Sequence, residues 1–208
     1  MLKVYITNIK KISDNKLFEE VISNISVCRK EKYDATNNEE LKLQILAASY
    51  LIDKYLKTFG LREKDMRYGL TASGKPYFEN KKNIYFSISH SKDIVGIAFS
   101  EKEVGFDVQV VKNVSDKIYN RVLSDSEKED AFSAQNENEK LNNFFRYWVM
   151  KEAILKRDGT GIKSDIKSVS DNFGIVGTLD GIDELDSVDK YYYCANNAFD
   201  KELELNIV

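Results

Sequence analysis

The chain has 208 residues, 42% hydrophobic and 31% charged, enough for one large domain or two of about 100 residues, each with its own core. A formal net charge of −3 argues against nucleic acid as the main ligand, and basic runs such as Lys81–Tyr85 (KKNIY) read as solvated surface. Cys28 and Cys194, the only cysteines, form neither a metal-ligand spacing nor a disulfide framework. The N-terminal run alternates rather than forming a signal peptide, and no apolar stretch reaches membrane-spanning length. A reducing cytoplasm and no membrane partner are expected.

Leu2–Ile9 alternates apolar and polar residues and predicts a strand. Leu41, Ile45, Leu46, Ala48, Leu51, Ile52 and Tyr55 recur at helical spacing, predicting a long helix over Asn38–Phe59 with Gly60 as its C-terminal cap. A loop at Thr71–Pro76 (TASGKP) holds the only proline. Ile84–Ser89, Ile94–Ser100 and Val104–Val111 predict three consecutive antiparallel strands. From Ser115 to Arg157 the pattern turns helical, and Ser124 with Glu127 forms a capping-box signature for a helix starting near Asp125. Strands return at Ile166–Ser170 and Ile175–Leu179, joined by a hairpin turn at Asp171–Gly174, and at Tyr191–Cys194 and Leu203–Val208. This order predicts two α+β units, 1–102 and 103–208, meeting near Glu101–Val104.

Three stretches carry side chains suited to chemistry. In Val104–Val110 (VGFDVQV) strand alternation points Asp107 and Gln109 to one face and Phe106 and Val108 to the other. Two oxygen-bearing groups beside a glycine suit a hard cation, although a solvent-facing strand edge would read the same way. Phe86–Ser91 (FSISHS) contains the only histidine. No G-x-S-x-G elbow accompanies Ser89 or Ser91, which removes a serine-hydrolase reading. The hydroxyls of Ser87, Ser89 and Ser91, with the His90 imidazole, suit an anion such as phosphate. So does Lys75 on the upstream glycine–proline loop, and no Walker-type sequence is present.

The third stretch is the end of the long C-terminal helix, YWVMKEAILKRDGTG (Tyr147–Gly161). At about 100° per residue, Leu141, Phe145, Trp148, Val149 and Leu155 form one stripe. Glu152 falls at its centre, with Lys156 one turn further on. A Glu152–Lys156 salt bridge is one reading. An inward carboxylate also fits a cation, and with Asp107 it makes a pair able to hold Mg²⁺, which takes few protein oxygens and keeps its other sites for phosphate and water.

Taken in order, GKPYF, FSISHS, VGFDVQ and W-x-x-K-E-A-x-x-K with G-x-G behind it resemble the 4′-phosphopantetheinyl transferases of the Sfp type, over Gly74–Gly161. The resemblance implies an α+β fold: a pseudo-twofold pair of similar halves with mainly antiparallel sheets and the active site in the cleft between them. It implies transfer of the phosphopantetheine arm of coenzyme A to a serine hydroxyl of an apo acyl or peptidyl carrier protein, releasing 3′,5′-ADP. Mg²⁺ on the pyrophosphate would be held by Asp107 and Glu152, with Gln109 beside them. Lys156 would neutralise the transferring phosphoryl group or protonate the leaving group, and Glu152 would take the serine proton. By the same matching, Lys75, Ser89, His90 and Lys151 contact coenzyme A, with Pro76 shaping the adenine side and Ser87 on the same strand as Ser89.

Two positions depart from the family pattern. Gln109 stands where many members carry a second acid, so weaker Mg²⁺ binding is expected. The first long helix (NNEELKLQILAA) lacks a clear basic residue for the 3′-phosphate, leaving Lys42 or Gln44, or Arg29 and Lys32 in CRKEKY, as candidates. The expected protein is a cytoplasmic, monomeric, Mg²⁺-dependent transferase. The alternative is a catalytically weak or inactive relative that binds coenzyme A or a carrier protein without transferring the arm.

Overall fold

The structure, a computed structural model, describes residues 1–160, 165–169, 174–187 and 189–208. It is an α+β fold with mainly antiparallel sheets. β1 (Leu2–Asn8) lies inside a four-stranded sheet of order β4-β5-β1-β9, and every residue but Lys3 is buried, as the alternation of apolar side chains on both faces requires. β4 (Tyr85–Ser91) and β5 (Ile94–Ser100) form the expected antiparallel hairpin, turned at Lys92, whose φ of 53° is left-handed.

Three helices cover one face of this sheet: α1 (Asn15–Asn24), α2 (Val27–Asp34) and α3 (Glu39–Lys57). The helix predicted to end at Phe59 stops at Lys57, because the amides of Thr58, Phe59 and Gly60 bond three residues back and tighten the last turn. Leu46, Leu51, Ile52 and Leu56 of α3 pack on Tyr5, Phe86 and Phe99, with the Tyr55 ring stacked on Phe99 at 3.9 Å. A small hairpin, β2 (Tyr68–Leu70) and β3 (Pro76–Phe78), brackets the 71–75 loop.

The opposite face of the sheet, with Leu2, Val4, Ile6, Ile94 and Ala98, packs on a second sheet of order β6-β8-β7. Here the sequence expectation needs correcting. β6 (Gly105–Val110) is a strand, but it does not continue the β4–β5 meander. Phe106 and Val108 form an apolar face that packs across the first sheet, Phe106 lying over Gly96, while β6 pairs with β8 (Tyr191–Asn196). β8 pairs in turn with β7 (Ile175–Leu179). Strand was also expected at Ile166–Ser170. Ile166–Ser168 is instead a 3₁₀ turn, nucleated by the Asp165 carboxylate accepting from Lys167 N. Ser170, and all of the expected Asp171–Gly174 turn but Gly174, lie outside the described residues.

The helical stretch divides into α4 (Asp116–Val122), α5 (Asp125–Phe132), which opens with the Ser124–Glu127 capping box, and α6 (Glu137–Asp158). α6 lies on the outer face of the second sheet, between it and α4–α5. It is therefore buried all round from Val149 to Leu155 rather than along one stripe, and Trp148 is only half-buried. β9 (Leu203–Ile207) leaves the second segment and pairs in parallel with β1. The sheets thus do not divide at residue 102. Among the described residues no helix is long and apolar enough to cross a membrane.

Candidate active site

Gly105 sets the distance between β6 and α6. A Cβ there would lie 1.7 Å from the Ala153 carbonyl oxygen, so only glycine lets the strand press against the helix backbone. Two residues on, Asp107 points from β6 toward α6, as the period-two alternation predicts. It is 1% exposed and accepts hydrogen bonds from Ser89 Oγ at 2.7 Å and Gln109 Nε2 at 3.1 Å. Lys156 Nζ donates to Asp107 Oδ1 at 2.6 Å and to Ser89 Oγ at 2.8 Å. Lys156 therefore pairs with Asp107 across the β6–α6 interface and not with Glu152 one turn below it.

Glu152 is 8% exposed and makes no hydrogen bond or ion pair with any described residue. Burial, and then the Asp107 charge, hold its carboxyl above the ordinary glutamate value, while Lys156 and Arg121 pull it down. It opens onto a cleft of about 800 Å³ bordered by Lys75, Pro76, Ile88, Arg121 and Lys156. An unpartnered inward carboxylate beside Asp107 is the donor set a hard cation uses when phosphate and water fill its remaining positions. Among the described residues no three side chains of His, Cys, Asp or Glu cluster as a complete protein-only metal cage.

The serines of FSISHS act differently from the expectation. β4 and β6 lie edge to edge, and Ser87 Oγ accepts from Phe106 N, Ser91 Oγ accepts from Val110 N, and Ser89 Oγ donates to Asp107. Ser87 and Ser89 are buried, so they stitch the two sheets together and orient Asp107 rather than presenting free donors to an anion. His90, on the other face of β4, is exposed. Desolvation of its ring, then the Lys156 charge, hold the imidazole below its ordinary value.

Two of the expected coenzyme A contacts face elsewhere. Lys151 is adjacent to Glu152 in sequence but about 100° away around the helix. It is 1% exposed, ion-paired with Glu127 Oε2 at 2.7 Å, and donates to the Lys167 carbonyl. Arg29 is likewise buried, its guanidinium donating to Ser49 Oγ and the Ile45 carbonyl and lying 3.5 Å from Glu63. Neither cation can reach a ligand without leaving its carboxylate, the half-buried Glu127 or the buried Glu63. Lys151→Ala is expected to cost about 2 kcal/mol, because the half-buried Glu127 would lose its cation and keep the Ser124 amide; an unchanged urea midpoint would contradict that assignment.

Lys75 and Pro76 border the cleft. The Thr71 and Gly74 amides close the loop, Gly74 with φ of 87°, and Lys75 Nζ reaches Glu103 at 2.7 Å and the Arg157 carbonyl at 3.1 Å. Lys32 is exposed on α2. Gln44 is committed to the Lys92 carbonyl at 2.8 Å, and Lys42 to Glu39 at 2.8 Å. α6 ends at Gly159, in the left-handed conformation with φ of 66°; Gly161 lies outside the described residues. Arg121 is the cleft residue that sequence reading missed. It sits in the last turn of α4, and only its place at the cleft sets it apart from other surface arginines.

Glu152 and two lysines, Lys75 and Lys156, thus line one cleft, with Asp107 buried behind Lys156. Residues 103–198 match the profile of the 4′-phosphopantetheinyl transferase superfamily, and the chain is similar to 4′-phosphopantetheinyl transferases of the Sfp type. It is 29% identical over 153 residues to the 4′-phosphopantetheinyl transferase Sfp of Bacillus subtilis, covering 73% of this chain and 68% of that protein. The transferase ffp of Bacillus subtilis is 29% identical over 69% of this chain and 62% of its own. The transferase gsp of Aneurinibacillus migulanus is 25% identical over 81% and 70%. The alignments thus take in about two thirds of these relatives' lengths.

Proposed function

We propose that this chain transfers the 4′-phosphopantetheine arm of coenzyme A to a serine hydroxyl of an apo acyl or peptidyl carrier protein, with Mg²⁺, in the cytoplasm. The observation that carries the reading is that Glu152 and Lys156 line the cleft while Asp107, buried behind them, pairs with Lys156 and acts on the Glu152 charge. The serine oxygen attacks the phosphorus that bears the pantetheine, the bond from that phosphorus to the 5′-phosphate oxygen breaks, and 3′,5′-ADP leaves with the electron pair. Glu152 takes the serine proton, a task favoured by a carboxyl held above its ordinary range. Lys156, whose ammonium has a third proton beyond those given to Asp107 and Ser89, neutralises charge on the phosphoryl oxygens. Mg²⁺, when bound by Asp107 and Glu152, supplies charge neutralisation on the pyrophosphate. Lys75, Pro76, His90 and Lys32 are the remaining contacts proposed for coenzyme A.

Incubation with Mg²⁺, coenzyme A and a panel of apo-carriers, followed by mass spectrometry, tests this. The expected result is a mass gain of one phosphopantetheine on a carrier. No gain on any carrier, with coenzyme A binding intact, would favour the non-transferring relative. Gln109 donates its amide to Asp107, so it lends the site a neutral neighbour in place of a charge. Gln109→Glu is expected to lower the half-saturating Mg²⁺ concentration several-fold; an unchanged value would show that the amide is no handicap.

A further inference from the structure

Three described cations border the cleft: Lys75, Arg121 and Lys156. Two are already committed. Lys75 is ion-paired with Glu103 at 2.7 Å, and Lys156 with Asp107 at 2.6 Å. Each can serve a ligand only by sharing or leaving a carboxylate. Arg121 makes no hydrogen bond or ion pair with any described residue, although its charge reaches Glu152. It stands exposed at the end of α4, its guanidinium planar and weakly hydrated, with no bond to a described residue to break before it takes an oxyanion.

We propose that Arg121 is a substrate-binding residue that grips the pyrophosphate of coenzyme A from the α4 side of the cleft. The proposal rests on the function inferred above. A guanidinium fork matches two phosphate oxygens at once, which a lysine cannot do. Beside Glu152, such a grip orients the phosphorus against the carboxylate that receives the serine proton. Lys156 then serves the same group from α6, so positive charge flanks the pyrophosphate on two sides.

Calorimetric titration of the wild type, Arg121→Gln and Arg121→Lys, each with coenzyme A, inorganic pyrophosphate and adenosine 3′-phosphate in the presence of Mg²⁺, tests it. Arg121→Gln is expected to weaken coenzyme A and pyrophosphate by about tenfold, with Arg121→Lys intermediate and adenosine 3′-phosphate unaffected. The melting temperature should stay at the wild-type value, since the side chain has no partner among the described residues to lose. Unchanged pyrophosphate binding overturns the proposal. So does an equal loss for adenosine 3′-phosphate, which would mark a general field effect, or a rise confined to the KM of the carrier, which would assign Arg121 to the protein substrate. A wild type whose pyrophosphate binding depends on Arg121 but which modifies no carrier would instead sink the transferase reading and leave this one standing. Normal transfer by Arg121→Gln with an unaltered KM for coenzyme A would do the reverse.

Discussion

Glu152→Gln is expected to lower carrier modification by about 10²–10⁴-fold while making the protein more stable. The two effects share one cause. The carboxyl is buried, lacks a hydrogen-bond partner among the described residues, and faces the Asp107 charge, so the fold holds it above its ordinary value. An acid whose folded-state value is raised binds its proton more tightly in the folded than in the unfolded chain. The stability linked to that proton is present below the ordinary glutamate range and is lost as pH rises through the raised value. At pH 7 the ionised side chain is a net cost, and the neutral amide removes it. A gain of about 1 kcal/mol, or about 3 °C in melting temperature, is the expected size. The gain should vanish below the raised value, which a melting series between pH 4 and 8 would show. Equal melting temperatures at pH 7 would mean that Glu152 is relieved in solution by a partner. The same shift sets the sign of the rate profile, with transfer rising with pH as the carboxyl loses its proton.

Gly105→Ala is the second large effect. The added Cβ would lie 1.7 Å from the Ala153 carbonyl oxygen and 2.6 Å from Arg157 N, both backbone atoms of the helix, so no rotamer can relieve the clash. β6 must move off α6, at a cost of about 3 kcal/mol. That movement carries Asp107 away from Lys156, whose 2.6 Å bond spans the same interface. A displacement of about 1 Å at a reacting group costs about 10²-fold in rate, so transfer should fall further than stability alone explains. Urea unfolding gives the first quantity and the mass-detected rate under folded conditions gives the second. Wild-type values for both would show that strand and helix can part without disturbing the site.

Much of this site was legible in the sequence because it depends on periodicity. Period two put Asp107 and Gln109 on one strand face, and helical spacing turned Glu152 and Lys156 inward. What periodicity could not supply was the identity of partners. Lys156 had an acidic neighbour one turn away, yet its carboxylate comes from another element. Lys151 and Arg29 read as available cations because their carboxylate partners, Glu127 and Glu63, lie 24 and 34 residues away in the chain. The serines of β4 looked like free donors because the strand edge that uses them belongs to a different sheet. Strand existence was likewise readable for β1, β4, β5, β6, β7, β8 and β9, whereas the departure of β6 from the meander follows from which apolar face covers which, a tertiary choice. α1 and α2 were not anticipated; their apolar faces are short and interrupted by charged residues.

The parallel pairing of β9 with β1 bears on how the chain is made as well as on its shape. Leu2 pairs with Leu203 and Ile6 with Ile207, so the first sheet cannot close until residue 207 has been synthesised. At about 5–20 residues per second, that leaves one flank of β1 bare for on the order of 10–40 s after β1 emerges. Such a long-separation pairing is slow to find, and an unpaired apolar edge is prone to cross-chain pairing in the meantime. β1 therefore leaves the ribosome long before the neighbour that completes its edge, and the nascent chain carries that bare edge until β9 follows.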